Sequence, residues 1–170
     1  MNKIWYECKV RYRKTDETGI QKVVSEPYLV DAISFTEAES IINERMKENI
    51  SEEFKVVNIK TAGYAEVHPN NEGETWFKVK VNLVAYNEET GKESKTGLYQ
   101  LIQAYSVKDA FDNASIAMHN TMGEYVISAI TETSIVDVFE YVSKEEQKDG
   151  EEWFDDLVDN DADLKAGSGE

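Results

Sequence analysis

The sequence has few of the residues on which catalysis and metal binding depend. Its 170 residues include one cysteine, two histidines and two prolines. A lone cysteine, Cys8, cannot close an internal disulfide, and no group of cysteines or spaced histidines supplies the ligands that zinc requires. His68 and His119 stand far apart and beside no nucleophile motif, so the chain spells out no acid–base pair. A phosphate loop, a paired-cysteine motif and a Gly-x-Ser-x-Gly elbow are all missing. Glu44 and Glu48 could share a helix face, but no run of alternating oxygen ligands surrounds a glycine as in a calcium loop. Long apolar stretches are missing as well. No segment nears the roughly 20 residues that cross a bilayer, and the opening MNKIWYECKV joins no basic stretch to an apolar signal core. These absences predict a non-enzymatic, cytoplasmic protein with Cys8 reduced and with no metal and no cofactor assigned.

Acid is what the sequence has in excess: 34 Asp and Glu against 18 Lys and Arg, a net charge of −16. The excess is unevenly spread. Residues 144–170 hold 11 acidic and 3 basic side chains, and residues 1–143 hold 23 and 15, so each part carries −8. Within 1–143, where 41% hydrophobic residues overall suffice for one core, positive charge gathers at Lys9, Arg11, Arg13 and Lys14, and again at Lys78 and Lys80.

Those two cationic stretches lie at equivalent places in an internal repeat. Trp5, Tyr6, Cys8, Val10 and Tyr12 align with Trp76, Phe77, Val79, Val81 and Leu83, alternating with period two in both copies. The polar turn Asp16-Glu17-Thr18-Gly19 matches Glu88-Glu89-Thr90-Gly91, each ending on a glycine that closes a hairpin. Farther on, Ser34 and Ser106 read as helix N-caps, with Glu37 and Asp109 three residues later placed to reach back to the cap amide. Apolar stripes follow at helical spacing: Phe35, Ala38, Ile41, Ile42 and Met46, then Val107, Ala110, Ala114, Ala117, Met118 and Met122. A closing strand ends each copy, Phe54 to Ile59 and Tyr125 to Ile130, continuing past a bulge at Gly63 into 64–67 in the first copy and into 135–138 in the second. Residues 68–73 form a linker of turn formers.

The predicted fold is therefore α+β, an internally duplicated β-β-α-β unit (4–67 and 76–139) making a single domain over 1–143. A largely antiparallel sheet has both helices packed on one face, and an acidic, disordered tail occupies 144–170. Pro27 implies an edge or a bulge at its place in the second strand, since proline donates nothing to a ladder.

The run Asp31-Ala32-Ile33-Ser34-Phe35-Thr36-Glu37-Ala38-Glu39, with Trp5-Tyr6 upstream, resembles the signature of an uncharacterised family found in gut-type bacteria and their phages. The likeness extends over most of residues 3–140 and implies a bacterial or phage setting without an assigned activity. As architecture, the motif is a strand end, a cap and the first turn of a helix.

Two features point to binding. Alternation puts Trp5, Lys9, Arg11 and Arg13 on one strand face and Trp76, Lys78 and Lys80 on its equivalent. Tryptophan beside a row of cations suits single-stranded DNA or RNA, the rings stacking on bases and the cations tracking phosphates. The same pattern is met if the tryptophans pack beneath the other half of the protein or a second subunit and the cations are ordinary solubilising strand residues. The second feature is the tail, where Trp153, Phe154, Leu157 and Val158 stand among aspartates and glutamates at spacings that would gather them on one side of a short helix, as a protein partner would require. It resembles the acidic, aromatic-bearing tails of bacterial and phage single-stranded DNA-binding proteins. The expected function is single-stranded nucleic acid binding, or a replication or recombination accessory role. The alternative is an acidic interaction factor, such as a phage-encoded inhibitor or nucleic-acid mimic, that binds a basic host protein.

Overall fold

The structure, a computed structural model, describes residues 3–140. Two long hairpins dominate it: β1 (Ile4–Thr15) with β2 (Gln21–Ala32), and β5 (Thr75–Tyr86) with β6 (Glu93–Ala104), each pair antiparallel along its full length. Their turns contain Gly19 at φ 84° and Gly91 at φ 67°, a left-handed conformation that glycine adopts without steric cost. In the first turn the Asp16 carboxylate accepts from the Thr18 and Ile20 N–H groups, both at 2.9 Å.

Each hairpin leads into a helix, α1 (Phe35–Asn49) and α2 (Val107–Ala117), capped by the serine expected from the sequence. The Glu37 N–H donates to Ser34 Oγ at 3.1 Å and the Asp109 N–H to Ser106 Oγ at 3.2 Å. The return bonds go one residue upstream of the cap. Glu37 Oε2 accepts from the Ile33 N–H at 2.6 Å and Asp109 Oδ2 from the Tyr105 N–H at 3.0 Å. The second helix is shorter than its apolar stripe, so Met122 lies beyond its end and is 99% exposed.

Strands β3 (Phe54–Thr61) and β7 (Glu124–Glu132) follow the helices and pair antiparallel with β1 and β5. Both ladders slip by one residue, between Lys9 and Val10 and between Lys80 and Val81, which leaves Val57 and Ser128 as equivalent extra residues. The bulge expected at Gly63 is thus found earlier, at Val57. Near Gly63 the strand ends and the chain changes sheet: β4 (Tyr64–His68) runs parallel to β6, and β8 (Asp137–Phe139) runs parallel to β2. His68 closes β4 instead of opening the linker. The described residues form two four-stranded sheets, ordered β3-β1-β2-β8 and β4-β6-β5-β7, each half lending its last strand to the other. Matching bonds mark the two crossings: the Ala62 N–H donates to the Trp5 carbonyl at 2.8 Å and the Thr133 N–H to the Trp76 carbonyl at 2.9 Å.

The fold is α+β and largely antiparallel as expected, and the strands, whose continuity the sequence leaves open, divide into two sheets with one helix each. Pro27 conforms to its reading as a local edge. Strand β8 bonds β2 only at 28–30, and the Pro27 carbonyl accepts from the Val136 N–H at 2.9 Å, so its missing donor falls on the outer side and costs the β1 ladder nothing. The return into β5 is tight, because a Cβ at Gly73 would lie 2.6 Å from the Ala104 backbone.

Under α1, Tyr6, Cys8, Val10, Val30, Ile42 and Met46 form one core, and under α2, Val79, Val81, Ile102, Ala114 and Met118 form another. A third cluster joins the helix-free faces of the two sheets: Leu29, Trp76, Leu101 and Ile135, with Trp5, Val67 and Val138 packed around them. This third cluster determines what the candidate site has to offer.

Candidate anion-binding face

Alternation identifies the strand face correctly but not its exposure. Trp76 is 3% exposed and Trp5 is half-buried against Leu29, Trp76 and Leu101. Neither ring is an open stacking platform. They pack beneath the other half, because burying two indoles between facing sheets removes a large apolar area from water.

The cations on the same face fare differently. Lys9, Arg11 and Arg13 are exposed along β1, and Lys78 and Lys80 are half-buried along β5. Register adds a cation the sequence does not reveal: Lys55 of β3 lies directly opposite Arg11. Directly opposite residues share a face, with side chains about 5 Å apart. Among the described residues, no carboxylate lies within 4.0 Å of Lys9, Arg11, Arg13, Lys55, Lys78 or Lys80. Their neighbours are paired: Lys14 with Glu26 at 3.4 Å, Lys22 with Asp16 at 3.6 Å and Lys60 with Glu7 at 2.8 Å. Like charges directly opposite destabilise a sheet, so an anion brought to Arg11 and Lys55 relieves a repulsion already present. Beside them, Arg11 and Arg13 border an open trough of about 550 Å³ that also touches Glu52 and Glu53.

Where the first crossing leaves its sheet, a smaller cleft of about 290 Å³ opens between Glu7, Lys60, Tyr64, Lys78 and Tyr99, with Gly63 at its rim. The Lys78 ammonium sits 4.3 Å from the centre of the Tyr99 ring. Burial, reinforced by the charge of Glu7, pushes the Tyr64 hydroxyl up to about 12, so it remains a proton donor at neutral pH.

Cys8 is fully buried, and burial with the nearby Glu7 charge pushes its thiol up to about 12, which leaves it unreactive. His68 Nε2 lies 2.9 Å from Glu66 Oε2 on the edge strand β4, and His119 is exposed after α2. No helix among the described residues is long and apolar enough to cross a membrane. The expected partner-binding residues Trp153, Phe154, Leu157 and Val158 lie outside the described residues.

Compared with known proteins, the chain matches no curated protein and no solved structure. A family model does match, over residues 4–141, which takes in both repeats, both crossings and the cationic face. The chain belongs to that family, a domain of unknown function designated DUF4494.

Proposed function

We propose that this is a non-enzymatic nucleic-acid-binding protein in which Lys9, Arg11, Arg13 and Lys55 hold the phosphates of a single strand. The observation that carries the reading is the cluster itself: four exposed cations, two of them directly opposite, without an ion pair among the described residues of a chain of net charge −16. Successive cations along β1 recur about every 6 to 7 Å, twice the rise of a strand, which suits an extended chain of phosphates. With the tryptophans engaged in the core, affinity rests on phosphate contacts and is independent of sequence. The resemblance of residues 31–39 to a bacterial and phage signature implies only a bacterial or phage setting; the cytoplasmic accessory role in replication or recombination follows from the phosphate-binding face alone.

Anisotropy titration of labelled oligo-dT and a matched duplex across a range of salt tests this. Four phosphate contacts to a single strand give a slope of log K against log salt of roughly −3. The double variant Arg11→Gln/Lys55→Gln is expected to halve that slope. Truncation after Ser143 removes 11 acidic and 3 basic side chains and is expected to tighten binding by reducing net repulsion. No saturable binding at high micromolar protein, or a slope unchanged in the double variant, contradicts the reading. A second reading, an acidic factor for a basic host protein, is favoured by the exposed Glu39, Glu44 and Glu48 of α1. It gains if polyanions fail to bind while a basic protein does.

A further inference from the structure

The internal duplication provides its own control for the cleft at the first crossing. The equivalent position at the second crossing replaces Lys60 by Thr131, Gly63 by Ser134, Tyr64 by Ile135 and Tyr99 by Pro27. There Ile135 is 6% exposed within the inter-sheet cluster, and Pro27 is buried. One crossing is plugged by apolar groups. The other carries two ammonium groups, a carboxylate and two phenols around about 290 Å³ of open space. Four differences between the copies converge on one spot, and every one makes it more polar or more open.

Volume and charge limit what fits. Binding pockets for drug-sized ligands and cofactors run from about 300 Å³ upward, so the cleft has room for a small group. Lys60 is bound to Glu7 at 2.8 Å, whereas among the described residues the Lys78 ammonium meets the Tyr99 ring at 4.3 Å and no carboxylate within 4.0 Å. A dianion can engage Lys78 and draw on Lys60 against the single charge of Glu7, with the Tyr64 hydroxyl as a neutral donor. A phosphomonoester, which carries about two negative charges at neutral pH, has that character, and an internal phosphodiester with its single charge does not.

The geometry points to a terminal-phosphate site: the cleft between Lys60, Tyr64, Lys78 and Tyr99 takes a phosphomonoester, either the end of a bound strand or a free mononucleotide. For the strand end, the inference rests on the nucleic-acid reading above, and it makes the protein a reader of phosphorylated ends. The test compares oligo-dT with and without a 5′- or 3′-phosphate, and thymidine monophosphate with thymidine, using the full chain. Proton–nitrogen spectra report folding and locate any shift. Expected is about tenfold tighter binding of one phosphorylated end, lost in Lys78→Gln and Lys60→Gln but kept in Lys92→Gln, a change at the exposed turn between β5 and β6, with Tyr64 and Lys78 signals moving. If oligo-dT binds equally with and without either phosphate and thymidine monophosphate moves neither Tyr64 nor Lys78, the inference falls while the nucleic-acid reading stands. If no oligonucleotide binds but thymidine monophosphate shifts Tyr64 and Lys78, the cleft stands as a mononucleotide site and the strand reading falls. No response to any phosphomonoester overturns the site.

Discussion

Trp76 shows most clearly how a residue's role depends on what packs against it. Its position in β5 puts the indole on the helix-free face, yet Leu29, Leu101 and Ile135 enclose it. Trp76→Ala should therefore act on folding before it acts on any ligand. Removing a buried indole costs about 3 to 5 kcal/mol, which urea denaturation followed by circular dichroism will read; a loss below about 1 kcal/mol would contradict the packing. Tyrosines respond to the same enclosure at high pH. Burial, with a hydrogen bond to Glu26, raises Tyr12 to about 12; burial with the Glu7 charge raises Tyr64 to about 12; and burial with the Glu26 charge raises Tyr28 further. A hydroxyl whose folded pKa is raised contributes stability that is complete below the unfolded value, near 10, and is lost as pH rises through the folded value. Phenolate absorbance should thus include a late component from these three of the nine tyrosines, with stability falling between about pH 10 and 12. Loss of that late component in the native protein would count against their burial.

Helix starts are local and were the most legible elements. Ser34 and Ser106 cap as their sequences require, since an N-cap depends on a serine hydroxyl and an amide three residues on. Ser34→Ala and Ser106→Ala should each cost about 1 kcal/mol in denaturant midpoints, and a neutral outcome for both would remove the caps from the account. Hairpins were legible for the same reason, through Gly19 and Gly91. The crossings were not. Apolar alternation in 64–67 and 135–138 identifies strands, but nothing local in Tyr64 or Ile135 tells which sheet they join. That is settled by partners more than 30 residues away, such as Tyr99 for Tyr64. Reading 64–67 as a continuation past Gly63 followed from treating sequence neighbours as spatial neighbours. The apolar stripe of α2 overran in a comparable way, since Met122 fits the spacing but follows the helix end.

Seen whole, the molecule is two equivalent halves that exchange edge strands and bury an inter-sheet core, with cations left on the open part of the same faces. The repeat made the halves legible, and alternation made Lys9, Arg11, Arg13, Lys78 and Lys80 legible as one kind of surface. Lys55, Lys60, Tyr64 and Tyr99 escaped because strand register and sheet crossing bring them there, and the only trace in the sequence is their difference from the residues at equivalent positions. On the proposed function, the β1–β3 face meets the ligand and the acidic face of α1 does not. Amide chemical-shift mapping of the full chain on addition of oligo-dT separates the two faces. Shifts are expected to concentrate at Lys9 to Arg13 and at Lys55 and to weaken as salt rises; shifts gathered on α1, or none at saturating oligonucleotide, would contradict binding at this face.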